Sequence, residues 1–165
     1  MNVLTGEEKL STSQRGRIAE LQVATALMAQ SNGRLSPFEP FSDDHGVDLV
    51  VLDKITGQAL TIQVKAWFLM PDKPVKTVQF DLQKSTYSDD HFGAVVCVVI
   101  DPEILTIKVG WVIPSLDIPK LATSQKFKFA MVPSRMATSK DKYTPYRHHS
   151  ISALCQAITE LISRA

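Results

Sequence analysis

Cysteine is scarce in this chain, with two among 165 residues, too few for a disulfide framework. Cys97 lies in the apolar run from Ala94 to Ile100 and Cys155 in the last helical segment, so both read as buried free thiols rather than a metal pair. No apolar run reaches membrane-spanning length, and residues 1–12 lack the hydrophobic core of a signal peptide. We therefore expect a cytoplasmic protein that does not enter a membrane. Repeats and low-complexity tracts are also lacking. Net charge is only +1, so charge alone does not announce a nucleic-acid partner. What remains, 44% hydrophobic and 21% charged residues, suits one globular domain of this length with a flexible start over residues 1–12.

The informative stretch is Gly46-Val47-Asp48-Leu49-Val50-Val51, followed across a polar turn by Thr61-Ile62-Gln63-Val64-Lys65-Ala66. Side chains alternate along a strand. Val47, Leu49 and Val51 therefore share one face, and Leu60, Ile62, Val64 and Ala66 share one. The intervening Asp53-Lys54-Ile55-Thr56-Gly57-Gln58 has turn chemistry, which predicts an antiparallel hairpin. If both apolar sets face one core, Asp48, Gln63 and Lys65 share the opposite face, and a slip of one residue would separate them. Val50 and Leu52 lie on that face too, so it is expected to be covered, with the polar trio at its edge. A cross-strand ion pair between Asp48 and Lys65 accounts for the pattern, and so does a site that grips a cation or a phosphate.

The remaining periodicities give the order of elements. Ser13 to Ala29 reads as a helix with an apolar stripe of Ile18, Leu21, Ala24, Thr25 and Met28, an N-cap at Ser13 and a stop at Asn32-Gly33. Glu20 flanks the stripe, placed either to pair with Arg17 or to point at the hairpin's polar trio. Arg34 to Phe41, interrupted by Pro37 and Pro40, predicts an edge strand. Thr77 to Leu82 predicts a strand, Gln83 to Ser88 a short helix or turn, and Gly93 to Ile100 a central strand covered on both faces. After the turn at Asp101-Pro102-Glu103 come strands at Leu105 to Ile113 and Phe127 to Val132, a polar loop from Pro133 to Tyr146, and a helix over Ser150 to Arg164. The sum is a mixed sheet flanked by helices, an α/β architecture.

Gly16-x-x-x-Glu20 in a first helix, then Gly46-Val47-Asp48, then Gln63-Val64-Lys65 resembles the PD-(D/E)xK nuclease superfamily. More narrowly it resembles the branch with a QxK motif, as in Mrr-type restriction endonucleases and related bacterial families of unassigned activity. The motifs fall within residues 13–67; the rest matches in its order of elements. The resemblance implies a restriction-endonuclease-like fold and magnesium-dependent hydrolysis of phosphodiesters in DNA, with manganese as a substitute. It implies Asp48, Glu20 and the backbone carbonyl of Val64 as metal ligands, because magnesium takes one or two carboxylates alongside waters and substrate oxygens. Lys65 would orient the attacking water or stabilise developing charge. Gln63 departs from the acidic residue at its position, and an amide binds a cation more weakly than a carboxylate, unless Glu20, Asp43 or Asp44 compensates. His45 is a candidate phosphate contact or a solvated loop residue.

Charge is unevenly spread. Acidic residues outnumber basic ones over residues 1–100, and the reverse holds over 101–165. Lys126, Lys128, Arg135, Lys140, Lys142 and Arg147 lie in a segment opposed only by Asp141, which suits either a track for a phosphate backbone or a solvated face. Trp67 shares the parity of the polar trio and is placed to stack on a base or to join the core. His148-His149 lacks ligand spacing and reads as surface. Besides an endonuclease, the sequence admits a non-catalytic nucleic-acid-binding module of the same fold, in defence, repair or mobile-element control. A double-strand cut by a domain this small would favour a homodimer.

Overall fold

A computed structural model describes residues 9–42, 46–87 and 93–165 of the chain. In chain order the elements are α1 (Thr12–Gln30), β1 (Leu35–Phe38), β2 (Leu49–Asp53), β3 (Ala59–Phe68), β4 (Phe80–Gln83), β5 (Gly93–Asp101), β6 (Thr106–Pro114), α2 (Ile118–Leu121), β7 (Thr123–Ser124), β8 (Lys128–Met131), β9 (Arg147–His148) and α3 (Ile151–Ile162). A six-stranded sheet runs β1-β2-β3-β5-β6-β9, and a three-stranded sheet runs β4-β8-β7. In the larger sheet β3 and β5 are parallel and the other pairs antiparallel, so the sheet is mixed as expected.

Strand burial follows parity. Leu49, Val51, Leu60, Ile62 and Val64 turn toward α1 and α3, and join Val96, Val98 and Ile100 in one core. Between them, Val95, Cys97 and Val99 point the other way, into a second core with Trp111, Phe80, Leu82, Phe129 and Met131. Thus β5 is buried on both faces, which is why its sequence is apolar without alternation. The proline-bearing β1 sits at the sheet edge, where a missing N–H costs no ladder bond. Gly110 brings α3 down onto β6, because a Cβ there would lie 2.8 Å from Leu154 Cδ1 and 3.2 Å from the Cys97 carbonyl oxygen. Both cysteines are buried and unbridged. Burial pushes the Cys97 thiol far up and the Cys155 thiol up to about 11.

Two expectations are corrected. The first helix begins earlier, capped by Ser11 rather than Ser13: the Ser11 hydroxyl accepts from Gln14 N (3.1 Å) and the Gln14 side chain accepts from Ser11 N (2.9 Å), a reciprocal capping box. Residues 11 and 12 are thus part of a structured helix start. The buried stripe of α1 is Ala19, Val23 and Leu27, while Leu21 and Met28, placed in the stripe by sequence, are exposed. The far face of the main sheet, expected to be covered, is covered by a second sheet. The connection between parallel β3 and β5 carries β4 into that layer, where a crossover helix is the usual solution. No helix among the described residues is long and apolar enough to cross a membrane.

The turn between β2 and β3 is anchored from inside. Asp53 is buried and accepts from Arg34 Nε (2.9 Å) and Nη2 (2.6 Å), while its Oδ1 also accepts from Ile55 N (3.0 Å). The Arg34 hydrogen bonds, against the effect of burial, hold the Asp53 carboxyl well below the ordinary carboxylate range. A carboxyl with a depressed folded-state pKa adds stability above its unfolded value and loses it as pH falls toward the folded one. Asp53→Asn should therefore melt below the parent at pH 6, and the gap in Tm should close as pH drops below 3.8, the ordinary value. A gap that persists undiminished at pH 3 would show that the ion pair is not the anchor.

Candidate active site

Where β2 ends, β3 continues. The ladder between them runs from Leu52–Ala59 to Leu49–Ile62, whereas β3 extends on to Phe68. Asp48 sits at this fork. Its N–H still donates to the Ile62 carbonyl (2.9 Å), and its carboxylate Oδ2 accepts from the Val64 N–H at 2.6 Å. A carboxylate thus takes the place of the next ladder bond, in the short range of charge-assisted hydrogen bonds. The paired register ends at Leu49–Ile62, and the Asp48 N–H, bonded to Ile62 instead of Gln63, departs from it. A strand residue's N–H and C=O face the same neighbour, so the Val64 carbonyl is directed at the same fork.

Gly46 makes the approach to the fork possible. Its φ of +64° is left-handed, and a Cβ there would lie 2.8 Å from Thr86 Cβ and 3.0 Å from Gln63 Nε2. Conformation and space both demand glycine.

The sequence-named residues fall into two adjoining groups. Asp48 and Glu20 line one cavity of about 260 Å³ together with Arg17 and Glu39. Arg17 donates to Glu20 (3.3 Å) and to Glu39, so the two suggested surroundings of Glu20, a salt bridge and the polar trio's neighbourhood, coexist. Gln63 lines a second cavity of about 210 Å³. Val47 borders both. Lys65 lies two residues beyond Gln63 on the same strand face, beside Cys97 of β5. Its side chain makes no hydrogen bond or ion pair among the described residues, and its charge acts on Asp81 of β4. Burial raises the Asp81 carboxyl, and hydrogen bonds from Lys128 (2.7 Å) and Gln79 (3.0 Å) outweigh it to hold the group below its ordinary value. Glu39 and Asp81 carry no sequence signal, since neither falls in a motif.

Asp43, Asp44 and His45 lie outside the described residues. Trp67 packs against the second core. Of the residue pair 148–149, His148 is half-buried in β9 and His149 exposed.

The basic segment divides. Lys128 is committed to Asp81, Arg135 Nε donates to the Val75 carbonyl (2.5 Å), and Arg147 donates to the carbonyls of Ser134 (2.9 Å) and Ser139 (2.7 Å). Lys128 thus ties β8 to β4, and the two arginines hold the loops that follow β8 and precede β4. Lys126, Lys140 and Lys142 are exposed, with Lys126 and Lys142 resting over the rings of Phe127 and Tyr143.

Among the described residues, a Cβ at Gly16, one turn before Glu20, would have no atom within 4 Å. Glycine inside a helix costs about 0.5–1 kcal/mol relative to alanine. Gly16→Ala should raise the urea-unfolding free energy by that amount, and an unchanged or lowered value would mean that α1 is constrained at this point.

No protein-family model matches the chain, and no curated protein matches it. Among solved structures it is similar to the bacterial homing endonuclease I-Ssp6803I, with 22% identity, 94% of this chain and 97% of that chain covered, and a TM-score of 0.53. It is more distantly similar to Hjc, a Holliday junction resolvase from the archaeal hyperthermophile Archaeoglobus fulgidus, at 12% identity over 79% of this chain and 96% of that one, with a TM-score of 0.43. The first likeness establishes fold: a mixed α/β sheet of the restriction-endonuclease-like kind, shared with a homing endonuclease over nearly the whole of both chains.

Proposed function

We propose that this protein is a metal-dependent endonuclease that hydrolyses phosphodiester bonds in DNA, with residues 1–165 forming a single catalytic domain. The observation that carries the reading is the fork, where the Asp48 carboxylate is pinned on the Val64 N–H beside Glu20.

The donor set fits a hard cation. Asp48 and Glu20 offer carboxylate oxygens on one cavity, and the Val64 carbonyl is directed at the same place, which matches magnesium's preference for few protein oxygens plus water and phosphate. Magnesium or manganese, when bound, supplies charge neutralisation and a more acidic water. The protein's own groups do the rest. The hydrogen bond from Val64 fixes the Asp48 carboxylate, so its orientation costs nothing at the moment of reaction. The Lys65 ammonium on the neighbouring strand has no partner to neutralise it among the described residues, and suits a phosphate that gains negative charge. Gln63 supplies an amide that orients water or a phosphate oxygen without adding repulsion. Arg17 keeps Glu20 and Glu39 paired, so divalent metal has to compete with a guanidinium for Glu20.

The exposed Lys126, Lys140 and Lys142 are offered as the electrostatic contacts to the phosphate backbone, and Lys128, Arg135 and Arg147 as the braces that hold that surface in shape. A cut through both strands would call for two copies. The second reading, a module that binds nucleic acid without cutting it, draws on Gln63, the neutral group where a carboxylate would strengthen metal binding.

The test is nicking of supercoiled plasmid with magnesium or manganese against a chelator control. Cleavage that needs the metal supports the nuclease; a salt-sensitive gel shift without cleavage favours the binding module.

A further inference from the structure

The second cavity, beside the fork, has a lining that nucleolytic chemistry does not require. Among the described residues its lining carries no charge. Val47, Leu82 and Val95 give it apolar walls, and Thr61, Gln63, Ser85 and Ser115 bring polar side chains that make no hydrogen bond among the described residues. Two further hydroxyls are already committed, Tyr87 to the Ser115 carbonyl (2.9 Å) and Thr86 to the Gln83 carbonyl (3.1 Å), so they shape the wall. An enclosure without charge disfavours a phosphate, a carboxylate or a metal ion, since each would be desolvated without a counter-charge. Apolar walls with unspent donors and acceptors favour a neutral, flat group that hydrogen-bonds along its edge. The volume of about 210 Å³ is below that of drug-sized sites, which run roughly 300–1,000 Å³, and suits a single ring system.

Position narrows the choice. Val47 is a wall common to this cavity and to the one holding Asp48 and Glu20. Gly46, without a side chain, keeps the Gln63 amide and Thr86 from being crowded. A strand whose phosphate lies at the fork would have its own nucleobase within reach of this cavity.

We propose that the cavity receives one unstacked nucleobase of the strand being cut, with Gln63, Thr61 and Ser115 hydrogen-bonding its edge. This inference rests on the nuclease reading. It gives Gln63 a second task, since an amide both donates and accepts and so can face a base edge where a carboxylate can only accept. Taking a base from the stack is easiest where it is mismatched or unpaired, so substrates with such a base next to the cut are preferred over fully paired ones.

The test uses the full chain and DNA duplexes carrying 2-aminopurine at successive positions around the mapped cut. Lys65→Ala protein is added, so that binding is read without cleavage. Brightening confined to one position, abolished when Ser115→Leu or the rim substitution Ser85→Leu is added, is the expected result. In the otherwise unaltered chain, either leucine should slow cleavage of a fully paired duplex at least ten-fold, on the order of the loss expected from blocking a small site. Should DNA be bound and cut while no position brightens and Ser85→Leu cuts at the parent rate, the cavity proposal is overturned and the nuclease reading stands. If the parent neither binds nor nicks DNA, the nuclease reading fails and this inference falls with it.

Discussion

Lys65→Ala is expected to lower metal-dependent plasmid nicking by about 10²–10³-fold, the loss typical of removing one preorganised stabilising donor, while leaving fold and DNA binding intact. Lys65 has no hydrogen bond or ion pair among the described residues, so its truncation strands no partner. That sets it apart from Asp48, whose carboxylate also satisfies the Val64 N–H at 2.6 Å. Asp48→Ala would remove charge and acceptor together and leave that N–H unsatisfied, at about 1–3 kcal/mol. Asp48→Asn is the cleaner variant, because its amide oxygen still accepts from Val64 while the negative charge is gone. It too should lose nicking by at least the Lys65→Ala margin, with an unchanged melting temperature. Full nicking activity in either folded variant would mean that the cleavage arises elsewhere or from a contaminant.

The largest stability effect is expected at Trp111. It is fully buried in β6 opposite Cys97, with its ring edge-on to Phe80 at 5.7 Å. Trp111→Ala should cost about 3–5 kcal/mol, the sum of lost burial and an unfilled hole. Trp111→Phe should cost far less than its loss of volume suggests. The indole Nε1 of Trp111 is buried without a hydrogen-bond partner among the described residues, and an orphaned donor of that kind penalises the folded state by about 1–3 kcal/mol. Phenylalanine removes that penalty along with part of the ring. Urea unfolding of the two variants decides the point: equal losses would show that the indole N–H is satisfied in solution and that packing alone sets the cost.

The sequence made the hairpin readable because one face of β2 and β3 is buried and strand parity has a period of two. Leu49, Val51, Leu60, Ile62 and Val64 could not be buried together in a register slipped by one residue. The same logic was weak for α1. Apolar residues run around most of its circumference, from Ile18 and Ala19 through Leu21 and Val23 to Leu27 and Met28, so helical spacing alone could not choose between two stripes. Packing against β1 and β3 selected Ala19, Val23 and Leu27. The shortest strands were hidden for another reason. β7 of the second sheet and β9 of the main sheet have two residues each, too short for any periodicity, and exist only because a neighbouring strand supplies their hydrogen bonds. In the candidate site, identities were legible and detail was not. The motifs named Asp48, Gln63 and Lys65, yet nothing local says that Asp48 would cap the Val64 N–H, that Arg17 would tie Glu20 to Glu39, or that Arg147 would turn inward to the loop carbonyls of Ser134, Ala137 and Ser139.

The doubly buried strand β5 has a consequence for how the chain acquires its structure. Alternate residues of that strand belong to opposite halves of the interior, and its parallel neighbour β3 is reached only after a long stretch of chain has been placed. Neither half can consolidate first and wait for the other, because each lacks a wall until β5 is docked. Assembly of this topology is governed by distant pairings, which are slow to find. Once found they should be lost together, so that heating or denaturant takes both halves apart in a single step.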